Sequence, residues 1–378
     1  MKERRINIVF IIVFMIMSLT PLLTIDWNGG QVSEEENRIL ASRPPKSLLV
    51  RSPVTFIEEI DLWITDNTGF RKEIIDLYNK IDVIEKEGQY QRGELTYLIG
   101  EQGHEYYDRN GELIAKYQGK DFLTPEELSN LATGLNDIKK YLDNKGIPMV
   151  VMFCTDKETI YPEFYPKSIM RGPEPIQLDI ITDYLKDNTT IDIFNIKEAL
   201  LDQKDNYLLY DKAINAEGEG DITHYNEIGG FFAYQELMKH IKIYLPEVEH
   251  LTIEDIIISY GDNNYPTITL KNEISYSDSD ENILMESGLF ASEMKNNFLI
   301  EHTSNDLPNI LVIRDSYLTP HYMKALPEHF SRTGLIHLTN MNYFNEFVEY
   351  YDPDIVVFES AERGLKNFAT LIERYHNQ

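Results

Sequence analysis

The sequence predicts an α/β protein in which a largely parallel sheet is flanked by helices. A helical pattern over residues 123–144 is followed at once by the apolar strand 149–153, which is the helix-to-strand order of α/β folds. Residues 310–313 and 354–359 are short runs rich in branched apolar residues, typical of strands buried on both faces. A chain of 378 residues is long enough for one large domain or two ordinary ones.

The remaining elements follow from hydrophobic periodicity and from the Gly, Pro and Ser/Asp residues that interrupt it. Helices are predicted over residues 174–187, 196–203, 231–243, 322–329 and 343–350. Strands are predicted over residues 190–195, 207–210, 256–260, 267–270 and 334–338. Residues 251–302 predict a β-rich insertion, in which the Ser/Asp run 275–281 forms a solvated loop.

The N-terminal 25 residues predict a membrane anchor. Lys2, Arg4 and Arg5 precede an apolar run over residues 6–25. Twenty helical residues span about 30 Å, the thickness of a bilayer core, and the basic flank should stay inside the cell. Because no small-x-small cleavage site is evident, we expect a retained signal anchor, rather than the alternative of a cleaved signal peptide, and an extracellular C-terminal domain on the cell membrane.

Three parts are therefore predicted. Residues 1–25 form the anchor, and residues 26–120 form an extracellular lead-in of helices and a short hairpin that packs on the main domain. Residues 121–378 form the α/β domain, with its insertion at about 251–302. Within the lead-in, prolines oppose helix over residues 31–53, whereas residues 56–84 have apolar residues at helical spacing.

Composition limits the partners. The formal net charge of −28 gives a surface that repels nucleic acid and anionic lipid headgroups. It also disfavours a strongly anionic glycan, so a neutral or amine-bearing glycan fits the charge better. The single cysteine, Cys154, can form no internal disulfide and is expected to be a buried structural thiol.

A candidate nucleophile follows the apolar run 310–313, which ends abruptly at Arg314-Asp315-Ser316. Ser316 would lie at the carboxyl end of a buried strand, and ligands of open α/β sheets bind at that edge. Alternatively, Asp315 and Ser316 only cap a following helix, since both residue types accept bonds from free N–H groups.

A serine nucleophile needs a base, because its hydroxyl is weakly nucleophilic at neutral pH. Asp221 and His224 lie three residues apart, just before an aromatic helix that begins near Gly229-Gly230. They could supply a base and its orienting carboxylate. Alternatively, His224 is a solvated or packing residue.

Four stretches, in order, resemble the SGNH-hydrolase-like proteins of polysaccharide O-acetylation, the AlgX/AlgJ type, and their Gram-positive relatives, the DHHW proteins. They are Glu36-Asn37-Arg38-Ile39-Leu40, Lys157-Glu158-Thr159-Ile160-Tyr161-Pro162-Glu163, Thr223-His224-Tyr225-Asn226 with Gly229-Gly230, and Asp315-Ser316-Tyr317. The resemblance implies an SGNH-hydrolase-like (flavodoxin-like) parallel sheet. It also implies that Ser316, His224 and an aspartate transfer acetyl groups to an extracellular polysaccharide, with a membrane acyltransferase as the acetyl donor.

One position departs from the family pattern. The family has aspartate two residues before the histidine, where this chain has Ile222. Asp221 lies three before it, as in the Asp-x-x-His of the wider SGNH esterases, and Asp211 is a second candidate for the acid. The serine follows the histidine, as in the acetylation family.

Further residues near these motifs are candidate substrate contacts: Asp156, Lys157, Tyr225, Arg314 and Tyr317. Lys157 follows the strand 149–153 and so shares the strand-end edge with Ser316; its alternative is a surface lysine paired with Asp156. Past the last strand, Glu359, Glu362 and Arg363 are expected to form an internal ion pair rather than to act in catalysis.

Other functions remain open. If water were the acceptor, the same site would be an acetylesterase. A protein that kept the fold and lost the chemistry would be a glycan-binding or assembly protein of a cell-surface polysaccharide system. No cofactor or metal is expected, since the sequence has no His-x-x-x-His or Cys-x-x-Cys spacing and no Gly-rich phosphate loop.

Overall fold

The computed structural model describes residues 41–69, 89–92, 95–109, 111–214, 220–260, 265–272, 276–279, 297–302 and 306–376, with a few residues before 41. The chain divides into two units, Met1–Glu87 and Gly88–Gln378. The anchor predicted over residues 6–25 lies almost wholly outside the described residues. Among the residues described, no helix is both long and apolar enough to cross a membrane.

The smaller unit has two short strands and two helices among its described residues. The strands β1 (Val32–Ser33) and β2 (Arg38–Ile39) pair antiparallel, and the helices are α1 (Lys46–Arg51) and α2 (Pro53–Asn67). Helix α1 lies in a stretch predicted to be extended. Pro45 precedes α1 and Pro53 begins α2, and proline is tolerated at both positions because the first turn needs no N–H donor.

The strands of the larger unit, in chain order, are β3 (Gln89–Arg92), β4 (Leu95–Ile99), β5 (Glu105–Asp108), β6 (Met149–Cys154), β7 (Asp192–Asn195), β8 (Ile256–Tyr260), β9 (Pro266–Leu270), β10 (Tyr276–Ser279), β11 (Phe298–His302), β12 (Asn309–Arg314), β13 (Arg332–His337) and β14 (Ile355–Ala361). Its helices are α3 (Glu112–Tyr117), α4 (Pro125–Asp143), α5 (Lys157–Ile160), α6 (Gln177–Asn188), α7 (Lys197–Leu201), α8 (Glu227–Tyr244), α9 (Phe344–Tyr351) and α10 (Leu365–His376). The lead-in predicted over 26–120 is thus divided between the two units, since β3, β4 and β5 form a small antiparallel sheet in the larger one.

The central sheet has the order β10-β11-β13-β12-β14-β6-β7 in its described strands. The five strands from β13 to β7 are parallel, and β11 and β10 extend the β13 edge in antiparallel pairing. This arrangement confirms the predicted α/β class with a mainly parallel sheet. Strand order places β14 between β12 and β6, so the carboxyl ends of these three strands lie side by side.

Helices cover both faces of the sheet, as the residues of β6 show. Val150 and Met152 pack with the apolar face of α8, whereas Val151 and Phe153 pack with α4, α6, α9 and α10. Because both faces of the strand are covered, β6 is apolar throughout, as its sequence indicated. Helix α4 begins with a capping box: the Thr124 hydroxyl accepts from the Glu127 amide at 3.2 Å, and the Glu127 carboxylate accepts from the Thr124 amide at 2.7 Å.

Three predicted elements differ in the structure. The helix predicted over 322–329 is reduced to a short 3-10 turn, Leu326–His329, because Pro327 can occupy only a helix start. Residues 207–210 form no strand; instead the Leu209 carbonyl accepts from the Asn226 amide at 2.9 Å. The run predicted as a solvated loop over 275–281 includes β10, which pairs with β11 at the sheet edge.

The described part of residues 251–302, predicted as a β-rich insertion, contains four strands, of which β10 and β11 belong to the central sheet. Strands β8 and β9 form an antiparallel hairpin, separate from the central sheet. A buried carboxylate ties this hairpin to α8, because Glu227 Oε2 accepts from the Ile268 amide at 2.7 Å.

Candidate active site

The candidate site lies at the carboxyl edge of the parallel sheet. Asp156 follows β6, Ser316 follows β12 and Arg363 follows β14, the three adjacent strands. The segment that precedes α8 brings His224 to the same edge. This is the position at which open α/β sheets bind ligands.

Ser316, His224 and Asp221 form a continuous hydrogen-bonded relay. Ser316 Oγ lies 2.7 Å from His224 Nε2, and His224 Nδ1 lies 2.7 Å from Asp221 Oδ2. Ser316 is exposed, whereas the histidine and the aspartate are partly buried. In this geometry a histidine can take the proton of a serine hydroxyl while a carboxylate holds its other nitrogen.

Asp221 reaches the ring from three residues before it because residues 221–224 fold as a tight turn. Its Oδ1 accepts from the Thr223 amide at 2.7 Å, from the Thr223 hydroxyl at 2.6 Å and from the His224 amide at 3.2 Å. An aspartate that bonds the backbone two residues on is a common turn device. Since the turn holds Oδ1, the second oxygen is directed at the imidazole.

The electrostatics of the site keep Asp221 ionised at neutral pH. Burial alone would raise the pKa of this carboxyl. Hydrogen bonds from His224, Thr223 and Tyr322 outweigh burial and hold the pKa well below its ordinary value. Asp221 can therefore accept from the Nδ1 proton and stabilise the charged imidazolium.

Asp211, the second candidate for the acid, does not face the ring. Its Oδ2 accepts from the Asp221 amide at 2.9 Å, and its Oδ1 accepts from the Asn226 side chain at 3.3 Å. Burial raises its pKa above the ordinary value. Asp211 therefore orients the backbone of the acid rather than the imidazole.

The helix after the histidine begins at a polar cap and a close packing contact. Asn226 Oδ1 accepts from the amides of Ile228 and Gly229, each at 3.1 Å. A Cβ atom on Gly229 would lie 2.4 Å from the Leu209 carbonyl oxygen. Glycine is therefore required for α8 to approach the 207–210 segment and so to fix the position of the preceding histidine.

A buried ion pair supports the backbone beside His224. Arg363 Nη1 lies 2.8 Å from Asp156 Oδ1 and also donates to the Thr223 carbonyl. The Tyr317 hydroxyl lies 2.9 Å from Asp156 Oδ1 and 3.0 Å from the same carbonyl. Arg363 thus forms an internal ion pair, but its partner is Asp156 and not Glu359 or Glu362, with which the sequence grouped it. The pair restrains the turn that carries the base.

The turn that carries the nucleophile is held from both sides. Asp315 Oδ1 accepts from the Tyr317 amide at 2.9 Å and Oδ2 accepts from the Ala361 amide at 2.5 Å, while the Asp315 amide donates to Glu359 Oε2 at 3.0 Å. Complete burial and the neighbouring Asp315 charge raise the pKa of Glu359 well above its ordinary value. Glu359 is thus a neutral carboxylic acid beneath the nucleophile turn.

The five predicted substrate contacts, Asp156, Lys157, Tyr225, Arg314 and Tyr317, are each at most 3% exposed. Their polar groups bond to the protein: the Tyr225 hydroxyl donates to the Tyr317 carbonyl at 3.0 Å, and Arg314 Nη1 donates to the next carbonyl at 2.7 Å. These residues lie behind the relay and support it, so the structure does not place them to touch a substrate. The positions of Asp156, Lys157, Arg314 and Tyr317 at strand ends predicted the correct edge of the sheet. How deeply each side chain is buried at that edge depends on packing.

Lys157 shows this correction most clearly. Its Nζ donates to three backbone carbonyls, those of Glu105 at 2.7 Å, Asp211 at 2.6 Å and Lys212 at 2.9 Å. An ammonium group has three donors, so none is left for a substrate. Burial lowers the pKa of Lys157 to about 7.

Two residues of the site were not predicted from the sequence. The Tyr322 hydroxyl donates to Asp221 Oδ2 at 2.6 Å, and Thr223 bonds both Asp221 and His224. Tyr322 lies 101 residues from Asp221 in a segment with helical periodicity, so no local signal marked it. Thr223 could have been found from the Asp-x-Thr-His spacing, which favours a side-chain-capped turn.

Among the described residues, no group of three or more His, Cys, Asp and Glu side chains is arranged to hold a metal ion.

Comparisons with known proteins concern the fold. No protein-family model matches the sequence, and no curated protein matches it. A DHHW family protein from Eubacterium siraeum is similar, with 11% identity, a TM-score of 0.49, and a match covering 76% of this chain and 97% of that chain. The O-acetyltransferase domain of Pseudomonas putida AlgJ has 13% identity and a TM-score of 0.43, and the match covers 73% of this chain and 98% of that chain. Bacillus cereus PatB1 with a sulfonyl adduct has 15% identity and a TM-score of 0.47, with 64% of this chain and 90% of that chain covered. The DHHW and AlgJ types named by the sequence resemblance are therefore among the solved structures to which this chain is similar.

Proposed function

We propose that this protein is a serine-dependent acyltransferase that acetylates hydroxyl groups of an extracellular polysaccharide. The observation that carries the proposal is the relay from exposed Ser316 Oγ through His224 to Asp221, with both hydrogen bonds at 2.7 Å. The resemblance of four sequence stretches to polysaccharide O-acetylation proteins supports acetyl as the acyl group and a glycan as the acceptor.

The reaction would proceed in two steps. His224 Nε2 takes the Ser316 proton as Oγ attacks the acetyl carbonyl, and the donor's leaving group departs with that proton, leaving acetyl-Ser316. A glycan hydroxyl then gives its proton to His224 and attacks the acetyl-serine, which restores Ser316. Asp221 stays ionised throughout and stabilises the imidazolium of both steps.

The oxyanion of each step needs hydrogen-bond donors. The Ser316 amide N–H has no hydrogen-bond partner in the part of the chain that the structure describes, and it lies within the turn held by Asp315. We propose it as one oxyanion donor. Such a donor contributes a factor of about 10² to 10³ in rate.

The acceptor, the donor and the location extend the same proposal. Because the net charge is −28, a neutral or amine-bearing glycan is favoured as the acceptor over a strongly anionic one. The apolar run 6–25 supports a membrane-anchored protein with its catalytic unit outside the cell, which would place the site near a membrane acyltransferase as the acetyl donor. With water as the acceptor, the same relay would act as an acetylesterase.

The alternative of an inactive glycan-binding or assembly protein rested on the displaced acid and on the acidic loop over residues 211–220 that precedes it. With Asp221 Oδ2 at 2.7 Å from the imidazole, the displacement gives no reason for lost chemistry. The acyltransferase is therefore the better supported function.

The test uses the full-length chain and two substitutions, Ser316→Ala and His224→Ala. We expect the parent to form acetyl-Ser316 from an activated aryl acetate, detected by mass spectrometry of the Ser316 peptide, and to release acetate or pass it to an added neutral oligosaccharide. Both variants should lose this labelling. A parent that is neither acetylated by the ester nor sulfonylated at Ser316 by an aryl sulfonyl fluoride would contradict the proposal.

A further inference from the structure

Tyr322 makes a direct contact with the acid of the relay. Its hydroxyl donates to Asp221 Oδ2 at 2.6 Å, the same oxygen that lies 2.7 Å from His224 Nδ1. Its ring centroid lies 5.4 Å from that of the imidazole and 5.6 Å from that of Tyr225. The residue is buried, so its hydroxyl faces the acid rather than solvent.

The Tyr322 hydroxyl stays protonated at neutral pH and therefore remains a hydrogen-bond donor. Burial, followed by the negative charge of Asp221, raises the pKa of Tyr322 above its ordinary value. A neutral phenol beside a carboxylate gives a short, charge-assisted hydrogen bond, which is stronger than one between neutral groups.

A second feature of the sequence serves the same contact. A Cβ atom on Gly230 of α8 would lie 2.4 Å from the Tyr322 carbonyl oxygen. The backbone at Tyr322 can therefore approach the helix only because residue 230 is glycine. Helix α8 begins directly after Asn226, two residues beyond His224. Gly230 therefore sets the distance between the segment that carries His224 and the segment that follows Ser316.

From these contacts we infer that Tyr322 is a positioning residue of the acyl transfer, which holds Asp221 Oδ2 in line with the imidazole, and that Gly230 is what allows it to do so. The segment that supplies the nucleophile thereby also orients the acid, so both ends of the relay are set by one stretch of chain. The predicted effect of Tyr322 on the reaction rate rests on the proposed acyltransferase function. Its predicted effect on the hydrogen bonds of His224 does not.

Removing the hydroxyl leaves the other bonds of Asp221 in place, because Thr223 and the His224 amide hold Oδ1. The carboxylate would then be free to turn about its remaining bonds, and the imidazole would spend less time aligned with Ser316. Misalignment of a catalytic group on this scale lowers kcat by about ten- to a hundred-fold. The KM should stay within about two-fold, because the buried hydroxyl does not touch the substrate.

The test compares Tyr322→Phe with Tyr234→Phe in the full-length chain. Tyr234 is a matched control, because it is also a buried tyrosine whose hydroxyl makes two bonds, to His329 Nε2 at 2.6 Å and to the Leu251 amide at 2.8 Å. We expect Tyr322→Phe to lose kcat at constant KM, and Tyr234→Phe to keep kcat after correction for the folded fraction. Gly230→Ala should also lower kcat, and adding it to Tyr322→Phe should lower kcat less than the product of the two single effects.

A second readout does not require turnover. In ¹⁵N-histidine-labelled protein, the resonance of the His224 Nδ1 proton should move in Tyr322→Phe and stay in place in Tyr234→Phe. An unchanged resonance in Tyr322→Phe, or a kcat equal to that of the parent, would overturn the inference. If the parent has no activity but the His224 resonance still moves in Tyr322→Phe, the result would contradict the proposed function and establish the positioning contact.

Discussion

At the scale of single residues, the site is built from polar groups whose donors and acceptors are nearly all used. Asp221 is the clearest case, since both of its oxygens accept more than one hydrogen bond. Saturation by donors is what keeps a largely buried carboxylate charged. The same principle leaves Glu359 neutral, because it has one backbone donor and a neighbouring negative charge.

Replacing the acid should separate the two candidate aspartates. We expect Asp221→Asn to lower kcat by about 10³- to 10⁴-fold, because an amide in place of the carboxylate favours the wrong imidazole tautomer. Asp211→Asn keeps an oxygen that can accept from the Asp221 amide, so we expect it to lower kcat by less than about ten-fold. Initial rates of acetyl transfer measure both. Equal losses in the two variants would mean that the acid has been assigned wrongly.

The neutral carboxyl of Glu359 predicts a pH dependence of stability. Its folded-state pKa is raised above the ordinary 4.5, so its contribution is complete below that value and is lost as the pH rises through the folded pKa. Glu359→Gln keeps a neutral side chain of similar size. The free energy of unfolding of the parent should therefore fall, relative to this variant, as the pH rises above the ordinary pKa of 4.5.

Urea unfolding at several pH values measures this difference. A pH-independent difference for Glu359→Gln would mean that Glu359 is not protonated in the folded protein.

At the scale of elements, the relay depends on contacts between segments that are far apart in sequence. Lys157 in α5 binds carbonyls of β5 and of the loop that holds Asp211, and thereby joins the small sheet to the acid-bearing segment. Arg363, after β14, reaches the Thr223 carbonyl across the site. These links hold the loops at the sheet edge in one arrangement.

Lys157→Met should therefore act on stability rather than on substrate binding. The three carbonyls would lose their donor, which costs about 2 to 4 kcal/mol in the free energy of unfolding. The KM of the folded fraction should stay near that of the parent. Lys212→Met is the control, since Lys212 offers only its backbone carbonyl to this contact. A raised KM without lost stability would restore Lys157 as a substrate contact.

At the scale of the whole molecule, the net charge predicts which acceptors the proposed transferase prefers. The formal net charge of −28 lowers the local concentration of anionic substrates, and added salt weakens this effect. We expect a neutral oligosaccharide to be acetylated faster than a carboxylated one of equal length at low ionic strength, with the gap narrowing as salt is added. Initial rates at two salt concentrations measure it. A carboxylated acceptor preferred at low salt would point to a local basic groove.

The sequence alone determined the features that are encoded within a few consecutive residues. Unbroken apolar runs predicted strands buried on both faces, and β6, β12 and β14 are such strands. The position of Ser316 after β12, and the Asp221-to-His224 spacing before a helix, are local as well. Together they predicted the sheet edge and the three residues of the relay.

Only the tertiary structure decided which groups meet at that edge and how deep they lie. Tyr322 and Asp221 are 101 residues apart, and Lys157 and Glu105 are 52 apart, so no local pattern records either contact. Tyr317 meets Asp156 and Arg363 because strand order places β14 between β12 and β6, whereas Lys157 is buried by its contacts with β5 and with the loop of Asp211. Periodicity reports which face of an element is apolar, but the partner of a polar side chain depends on which elements pack beside it.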